Sequence, residues 1–448
     1  MRHRLNRRQF LKTAAAGAAV TVLAGPFRTR AYAANEKLNC ACVGAGGRAG
    51  AHVDAAGSRE NLVAVADVDA NHLAGALKKF PNAKGFADYR EMLDKVHGQI
   101  DTVFVGTPDH HHAPASMMAL KLKKNVYCEK PLTHSVWEAR QIAEEARRAK
   151  VATQMGNQGN SSEQTRLLVE YIRAGAIGKV TEAHIWTDRP INWWPQGVGR
   201  PSYTDPVPPH LNWDLWLGPA PERPYAASHR DGPYKGKPMY HPFVWRGWWD
   251  FGTGALGDIA CHAMAPIFWA LELGKPTAVS AEHSECNAET FPDWSIITYE
   301  FAARGDQPAF KLVWYDGGKK PPRPEELEES RQWGGNGSLY VGTGGKMCEN
   351  RLIPESKMKD FKKPDPTLER IAGNDHHTDF FIACKGGRPA SSNFDFAGNL
   401  AEAALTGNVA LRAGKRIEWD ARNMKPTNCS DPAVLAVVRR QYRKGWTV

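Results

Sequence analysis

A short apolar run, Leu38 to Val43, stops at Gly44-Ala45-Gly46-Gly47-Arg48-Ala49, and a segment with helical patterning follows at once. Few folds let a strand turn straight into a helix through such a loop. In the pattern G-x-G-x-x-(G/A), Gly44 permits the tight turn, Gly46 lets backbone approach a diphosphate, and Ala49 allows close helix packing. The helix N-terminus then faces the phosphates. Asp67 strengthens the reading, because it ends the next apolar run, Leu62 to Asp67, roughly 20 residues further on. A carboxylate there accepts hydrogen bonds from an adenosine ribose and repels a 2′-phosphate. The expected ligand is therefore NAD in preference to NADP, held by Gly44, Gly46, Gly47, Arg48 and Asp67. The plainer alternative is a glycine turn followed by a strand-end aspartate in some other α/β protein.

The pattern continues. Strands are predicted at Leu38 to Val43, Leu62 to Asp67, Thr102 to Gly106, Asn125 to Cys128 and Ala152 to Gln154, with helices at Asn71 to Lys79, Ala115 to Leu122 and Ser135 to Lys150. Apolar runs alternating with helices predict an α/β fold, a doubly wound parallel sheet of the Rossmann type, over residues 34–155. A second domain, 156–448, opens with a helix at Ser162 to Ala174 and a strand at Val180 to Thr187. Nine of the 15 tryptophans lie from Trp186 to Trp269, among Pro, Gly, Asn and His, so much of that stretch is irregular. Long irregular loops in compact domains are usually functional. Gly317 to Gly345 reads as an insertion loop, Phe396 to Leu411 as a helix, and Pro432 to Trp446 as a tail packing back on the body. No internal repeat is visible.

The net charge of +10 suggests nucleic acid until its origin is traced: residues 1–33 hold seven Lys or Arg and no acid, and without them +3 remains. No basic stripe is left for a phosphate backbone. The same segment reads as an address. Asn6-Arg7-Arg8-Gln9-Phe10-Leu11-Lys12 resembles the twin-arginine export motif, with Asn6 where Ser or Thr is usual; an Ala-rich run and the small-x-small site Ala31-Tyr32-Ala33 follow. The run is too short and weakly apolar to span a membrane, and no later stretch approaches spanning length. The mature chain is expected to begin near Ala34 and to act in the periplasm or outside the cell. Cys40, Cys42, Cys128 and Cys261 sit where small buried hydrophobes are usual, whereas Cys348, Cys384 and Cys429 leave pairing open. With no C-x-x-C pair, no structural zinc site is expected.

Thr107-Pro108 closes the third recognised strand and runs into Asp109-His110-His111-His112. Successive histidines point different ways and converge poorly on one ion, so no metal is expected. One or two of them, His112 included, are expected at the mouth of the cleft with Thr107 and Pro108. Glu129-Lys130-Pro131 follows a strand and precedes the helix from Ser135. Here the chain resembles the glucose-fructose oxidoreductase, inositol dehydrogenase and rhizopine-catabolism (Gfo/Idh/MocA) family. The resemblance covers also the Gly44 loop, Thr107-Pro108, Gly254 to His262 and Asn374 to Phe381. It implies a Rossmann domain followed by an α+β domain with a large, open, mostly antiparallel sheet. It further implies a catalytic lysine at Lys130 of the E-K-P motif, a D-x-x-x-H pair at Asp258 and His262, Glu129 and Lys130 beside the cofactor, and a homo-oligomer, dimer or tetramer.

The chemistry of the residues agrees with that assignment. Oxidising a secondary alcohol needs a hydride acceptor and a group for the hydroxyl proton, a task suited to a histidine such as His262. Asp258 and His262 are four apart and share a helix face, and Lys130 can stabilise a developing alkoxide. A helix-capping Asp258, a core His262 and a surface Lys130 are the plainer readings of each taken singly. Arg189, Asn192, Trp193, Trp194, Trp245, Arg246 and Trp248 are of the types that stack on and hydrogen-bond a sugar ring, although tryptophans also fill cores. The expected substrate is a sugar, glycoside or cyclic polyol.

Export sharpens this expectation. A chain that leaves already folded can carry its cofactor with it, and a trapped cofactor must be recycled within the protein. The alternative is an NAD-dependent glycosidase or lyase working through a transient keto-sugar. Exported glycosidases of related fold replace the E-K-P lysine, so Lys130 ranks the oxidoreductase first. A cofactor-bound sugar-binding protein without turnover is disfavoured by the joint presence of Lys130, Asp258 and His262.

Overall fold

The computed structural model describes residues 36–448, so the expected signal segment and cleavage site lie outside the described residues. Strands β1 (Asn39–Val43), β2 (Asn61–Ala66), β3 (Lys84–Phe86), β4 (Thr102–Val105), β5 (Asn125–Glu129) and β6 (Thr153–Gly156) make a sheet in the order 3-2-1-4-5-6. Every pairing in it is parallel. Helices cover both faces, which is why β4 and β6 are buried at every residue and β4 reads as an apolar run without alternation. The strand order reverses between β1 and β4, opening a crevice at their carboxyl ends, where such sheets take ligands. Strand β3 was not expected: Lys84-Gly85-Phe86 has no pattern of its own and owes its place to pairing with β2.

The helix expected from Ala115 begins at Asp109 and carries Pro114 inside it. Proline has no N–H for the carbonyl of residue 110. Arg440, from the C-terminal tail, donates to that His110 carbonyl instead at 2.6 Å. Its Nε reaches buried Glu138 at 2.7 Å, and Glu138 in turn completes a capping box with Ser135 at the start of helix Val136–Ala149. The tail thus packs back through a specific polar contact, and its Trp446 ring stacks under Arg90 at 3.9 Å.

Nine further strands form the second sheet: β7 (Val180–Trp186), β8 (Ala278–His283), β9 (Ser295–Phe301), β10 (Phe310–Tyr315), β11 (Gly337–Gly342), β12 (Gly345–Cys348), β13 (Arg351–Ile353), β14 (Ile417–Asp420) and β15 (Lys425–Pro426). Their order is 13-12-11-7-10-9-8-14-15, and only β7 with β10 is parallel. The expected insertion loop Gly317 to Gly345 is therefore half right, since β11 lies inside it; glycines at both ends of that strand hid a central pairing. Helix Phe394–Ala413 lies between this sheet and helix Val136–Ala149. Its glycines permit close approach: a Cβ at Gly398 would fall 2.7 Å from that of Ala143, and one at Gly407 2.2 Å from the Tyr299 hydroxyl. One apolar core runs from β1 to Trp446, and residues 37–448 form one compact unit. All eight cysteines are unpaired. No single helix among the described residues is long and apolar enough to cross a membrane.

Candidate active site

The crevice opens into a cavity of about 560 Å³. Gly44, Gly46, Gly47 and Arg48 form its floor, and Asp67, Thr107, Pro108, Glu129 and Lys130 its walls. Gly44 adopts φ 95°, and a Cβ there would crowd the Gly106 backbone at 3.2 Å. A Cβ on Gly47, at φ 52°, would meet nothing within 4 Å. Helix Arg48–Arg59 has no side-chain cap, and the Gly47 and Arg48 N–H groups find no partner among the described residues. Open space over unpaired N–H groups at a helix start suits a diphosphate. Asp67 does more than the sequence suggested: its carboxylate accepts from Ala45 N at 2.7 Å and Asp69 N at 2.8 Å, bracing the glycine loop. These residues fit a dinucleotide.

At the other end of the cavity the chain turns from β5 into Lys130. Glu129 is buried and lies 3.1 Å from both Arg48 Nε and His52 Nε2, while Gln158 Nε2 donates to it at 3.0 Å. Burial alone would raise the Glu129 carboxyl, but His52, Arg48 and Lys130 outweigh it and hold it well below the usual range. Gly156 is required beside it, because a Cβ would sit 2.6 Å from the carboxylate carbon. Glu129 is thus a fixed anion that orients the next residue.

Lys130 Nζ donates to Asp258 Oδ1 at 2.5 Å, and Arg246 Nε donates to the same oxygen at 3.0 Å. Asp258 comes from helix Gly254–Ala263 of the second region. Burial disfavours its charge, yet Lys130 and Arg246 outweigh burial and keep the carboxylate ionised. His262, one turn on, is half-buried and forms no hydrogen bond with any described residue. Burial, then the nearby Lys130 charge, depress it to about 4, so at neutral pH the imidazole is uncharged and able to accept a proton. Behind this group Asp109 is fully buried on Thr253 Oγ1 at 2.6 Å, and burial pushes it up to about 6.

Two expectations need correction. His112 does not face the cavity. Its ring is buried between two carbonyls, Nδ1 2.6 Å from Pro131 O and Nε2 2.8 Å from Thr107 O, so it ties the loop after β4 to the loop after β5. Donating to both requires the imidazolium. Burial opposes that charge, but Cys128, Asp109 and the Pro131 carbonyl raise the group to about 10. His111 lines the cavity instead. Among the proposed sugar contacts, Trp248 and Trp194 belong to the core, the latter bonded to Gln196 Oε1 at 2.9 Å. Asn192 serves a left-handed turn at φ 64°. Trp245 and Arg246 line the cavity, and Trp193 is exposed near Arg189.

Sequence reasoning missed the far wall. Asn212 N donates to Val68 O at 2.9 Å and Ala70 N to His210 O at 2.8 Å, so the tryptophan-rich segment crosses the end of β2 as a strap. Asp69 Oδ2 lies 3.4 Å from His241 Nε2 and 3.8 Å from His210 Nε2. His72 covers the glycine loop so closely that a Cβ on Gly46 would fall 2.3 Å from its Nδ1. The tryptophan density was the one local signal of this strap; its landing place depends on distant pairing.

Two sequence models of one family account for nearly all of this architecture: the NAD-binding Rossmann fold of an oxidoreductase family matches residues 38–157 and its C-terminal alpha/beta domain residues 162–448. The chain belongs to the Gfo/Idh/MocA oxidoreductase family. Residues 4–24 match the twin-arginine translocation signal, which indicates export by that route. Inositol 2-dehydrogenase of Rubrobacter xylanophilus is 32% identical over 148 residues, 32% of this chain and 42% of the relative. Glucose-6-phosphate 3-dehydrogenase of Bacillus subtilis is 34% identical over 116 residues, 25% of this chain and 32% of the relative. The chain thus spans less than half the length of these curated relatives. Solved structures share the fold: the WlbA dehydrogenase of Bordetella pertussis, in complex with NADH and UDP-GlcNAcA, has a TM-score of 0.58 at 17% identity, covering 86% of this chain and 99% of that one. Levoglucosan dehydrogenase, with NADH and levoglucosan, has a TM-score of 0.55 at 18% identity, covering 86% and 99%.

Proposed function

We propose that this protein is an exported NAD-dependent oxidoreductase acting on a secondary hydroxyl of a sugar, glycoside or cyclic polyol, with its cofactor retained and reoxidised in place by handing the hydride to a second, carbonyl-bearing substrate. The observation that carries the proposal is the meeting of Lys130, Asp258 and Arg246 at the end of a cavity whose other end is a dinucleotide floor. Gly47, Arg48 and Asp67 would hold the diphosphate and adenosine ribose, and NAD, when bound, supplies a hydride acceptor. The Lys130 ammonium, aimed by Glu129 before it and Asp258 beyond, hydrogen-bonds the substrate hydroxyl and stabilises its developing negative charge. Neutral His262 accepts the hydroxyl proton, and the Asp258 carboxylate balances the resulting imidazolium.

Two features support retention. The strap pinned at Asp69, with Trp446 of the tail, walls the cavity opposite the glycine loop. Twin-arginine export, moreover, carries chains that have already folded. The family's relatives with sugar or inositol names make a carbohydrate substrate the natural choice. A homodimer or tetramer joined through the nine-stranded sheet fits the same reading, since β9 alternates buried with half-buried residues. Its site of action is the periplasm. The test is incubation of purified mature protein with a panel of glycosides and cyclic polyols. A keto-product with reduced nicotinamide supports the proposal, whereas release of an aglycone without net reduction would assign the glycosidase or lyase cycle instead.

A further inference from the structure

Large apolar side chains exposed singly on a surface need no explanation, but a cluster beside a cleft does. Ile191, Trp193 and Phe243 are 47%, 47% and 39% exposed; Ile191 is two residues from Trp193 in the chain, and Phe243 lines the cavity. The Trp193 and Phe243 ring centroids are 6.4 Å apart at 35°. Trp193 is held still: the Arg189 guanidinium sits 3.5 Å from its ring centre, and Arg189 is itself bonded to Asp188 at 2.6 Å. One indole face is therefore covered by the guanidinium, while Trp193 as a whole keeps 47% of its surface exposed. Phe243 belongs at once to the rim and to the cavity wall, and Arg246 lies 4.1 Å from its ring centre. The path from Lys130 through Asp258, Arg246 and Phe243 to Trp193 is unbroken.

We infer that Trp193 and Phe243 form a second ring-binding platform, so that the substrate is a glycoside of at least two rings with its reacting ring at Lys130 and its second pyranose stacked on Trp193. This rests on the oxidoreductase reading for the first ring. A pyranose presents an apolar C–H face to an aromatic ring and hydroxyl edges to donors, which Arg189 and Arg246 supply on either side. A second copy of the chain is a poorer occupant. A stable interface takes about 800 Å² and some 20–30 residues per partner, and this patch has three exposed apolar side chains.

The test uses NAD-loaded protein, gluco-, galacto- and manno-configured disaccharides, and the matching methyl glycosides. In a single turnover, wild type should reduce its bound NAD with at least one disaccharide at an efficiency, rate constant over Kd, about tenfold above that for its methyl glycoside, and Trp193→Ala and Phe243→Ala should each abolish most of that ratio. Calorimetry separates this inference from the redox reading. Disaccharide binding that weakens in Trp193→Ala supports the platform even if no hydride moves, and turnover of methyl glycosides with no disaccharide preference overturns the platform while leaving the redox reading intact. Failure of every disaccharide to bind, or a change of oligomeric state in Trp193→Ala by sedimentation, would also overturn it.

Discussion

Lys130→Ala separates chemistry from architecture. The ammonium touches Asp258 at 2.5 Å, with side chains 15% and 12% exposed, so the pair is neither a surface bridge nor a fully buried one. Removing Lys130 does not strand Asp258, because Arg246 Nε still donates at 3.0 Å. The stability loss should therefore be about 1–2 kcal/mol, short of the roughly 3–5 kcal/mol expected when a buried charge loses its partner. The rate should suffer far more. Loss of one donor to a developing oxyanion costs about 2.7–4 kcal/mol, or roughly 10²–10³ in kcat. Hydride transfer would be followed at 340 nm in a single turnover, with thermal unfolding alongside. Lys130→Arg gives the second arm: a guanidinium restores charge opposite Asp258, so stability should recover while the misplaced donor leaves the rate low. A Lys130→Ala protein that keeps more than about a tenth of the rate, or that loses its nicotinamide along with its activity, would refute the reasoning.

Other expectations follow from the same geometry. Asp69→Ala removes the carboxylate that bonds His241 at 3.4 Å and faces His210 at 3.8 Å, so bound NAD should dissociate at least tenfold faster in dilution assays, with the Lys130–Asp258 contact untouched. Arg440→Ala leaves Glu138 its Tyr442, His134 and Ser135 donors but takes away its guanidinium and the donor to the His110 carbonyl, and should cost about 1–3 kcal/mol in urea unfolding. In a Pro114→Ala background the loss should shrink, because that carbonyl regains a helical N–H. Acid should destabilise the fold through its buried histidines. Burial holds His110 well below its usual range and His111 at about 4, and both rings turn Nε2 to Trp216 O at 2.9 Å. Their folded values lie below the unfolded value of about 6.5, so the unfolded chain takes up protons first. Stability present above pH 6.5 is then lost toward pH 4, by about 1.4 kcal/mol per pH unit for each such histidine. A flat urea midpoint from pH 7 to 5 would contradict this.

Where function was legible in the sequence, it sat at the junction of an element and a loop. Gly44, Gly46, Gly47, Arg48, Asp67 and Glu129-Lys130 are local signals, since a strand end fixes where its next side chain goes, and all of them line one cavity. The Asp258 and His262 spacing was readable because a helix repeats every 3.6 residues. What joins Asp258 to Lys130, 128 residues apart in the chain, is sheet order and the packing of helix Phe394–Ala413, which no short window contains. His112 misled because its residue type suits a cleft; only the two carbonyls around it reveal a brace. The tryptophans misled for the converse reason. Trp248 and Trp193 have the same chemistry and similar neighbours in sequence, yet the first is wholly buried and the second 47% exposed. Strand β11 was lost between flanking glycines, where pairing with β7 decides.

On the proposed reading, a nicotinamide cofactor travels with the folded chain and is reduced beside Lys130. Mature protein recovered from the export compartment, denatured and analysed by mass spectrometry, should release one NAD(H) per chain. The native protein mixed with a glycoside that it turns over should gain absorbance at 340 nm in a first phase no larger than that content. Protein that contains no nicotinamide and takes none up on refolding would contradict the account.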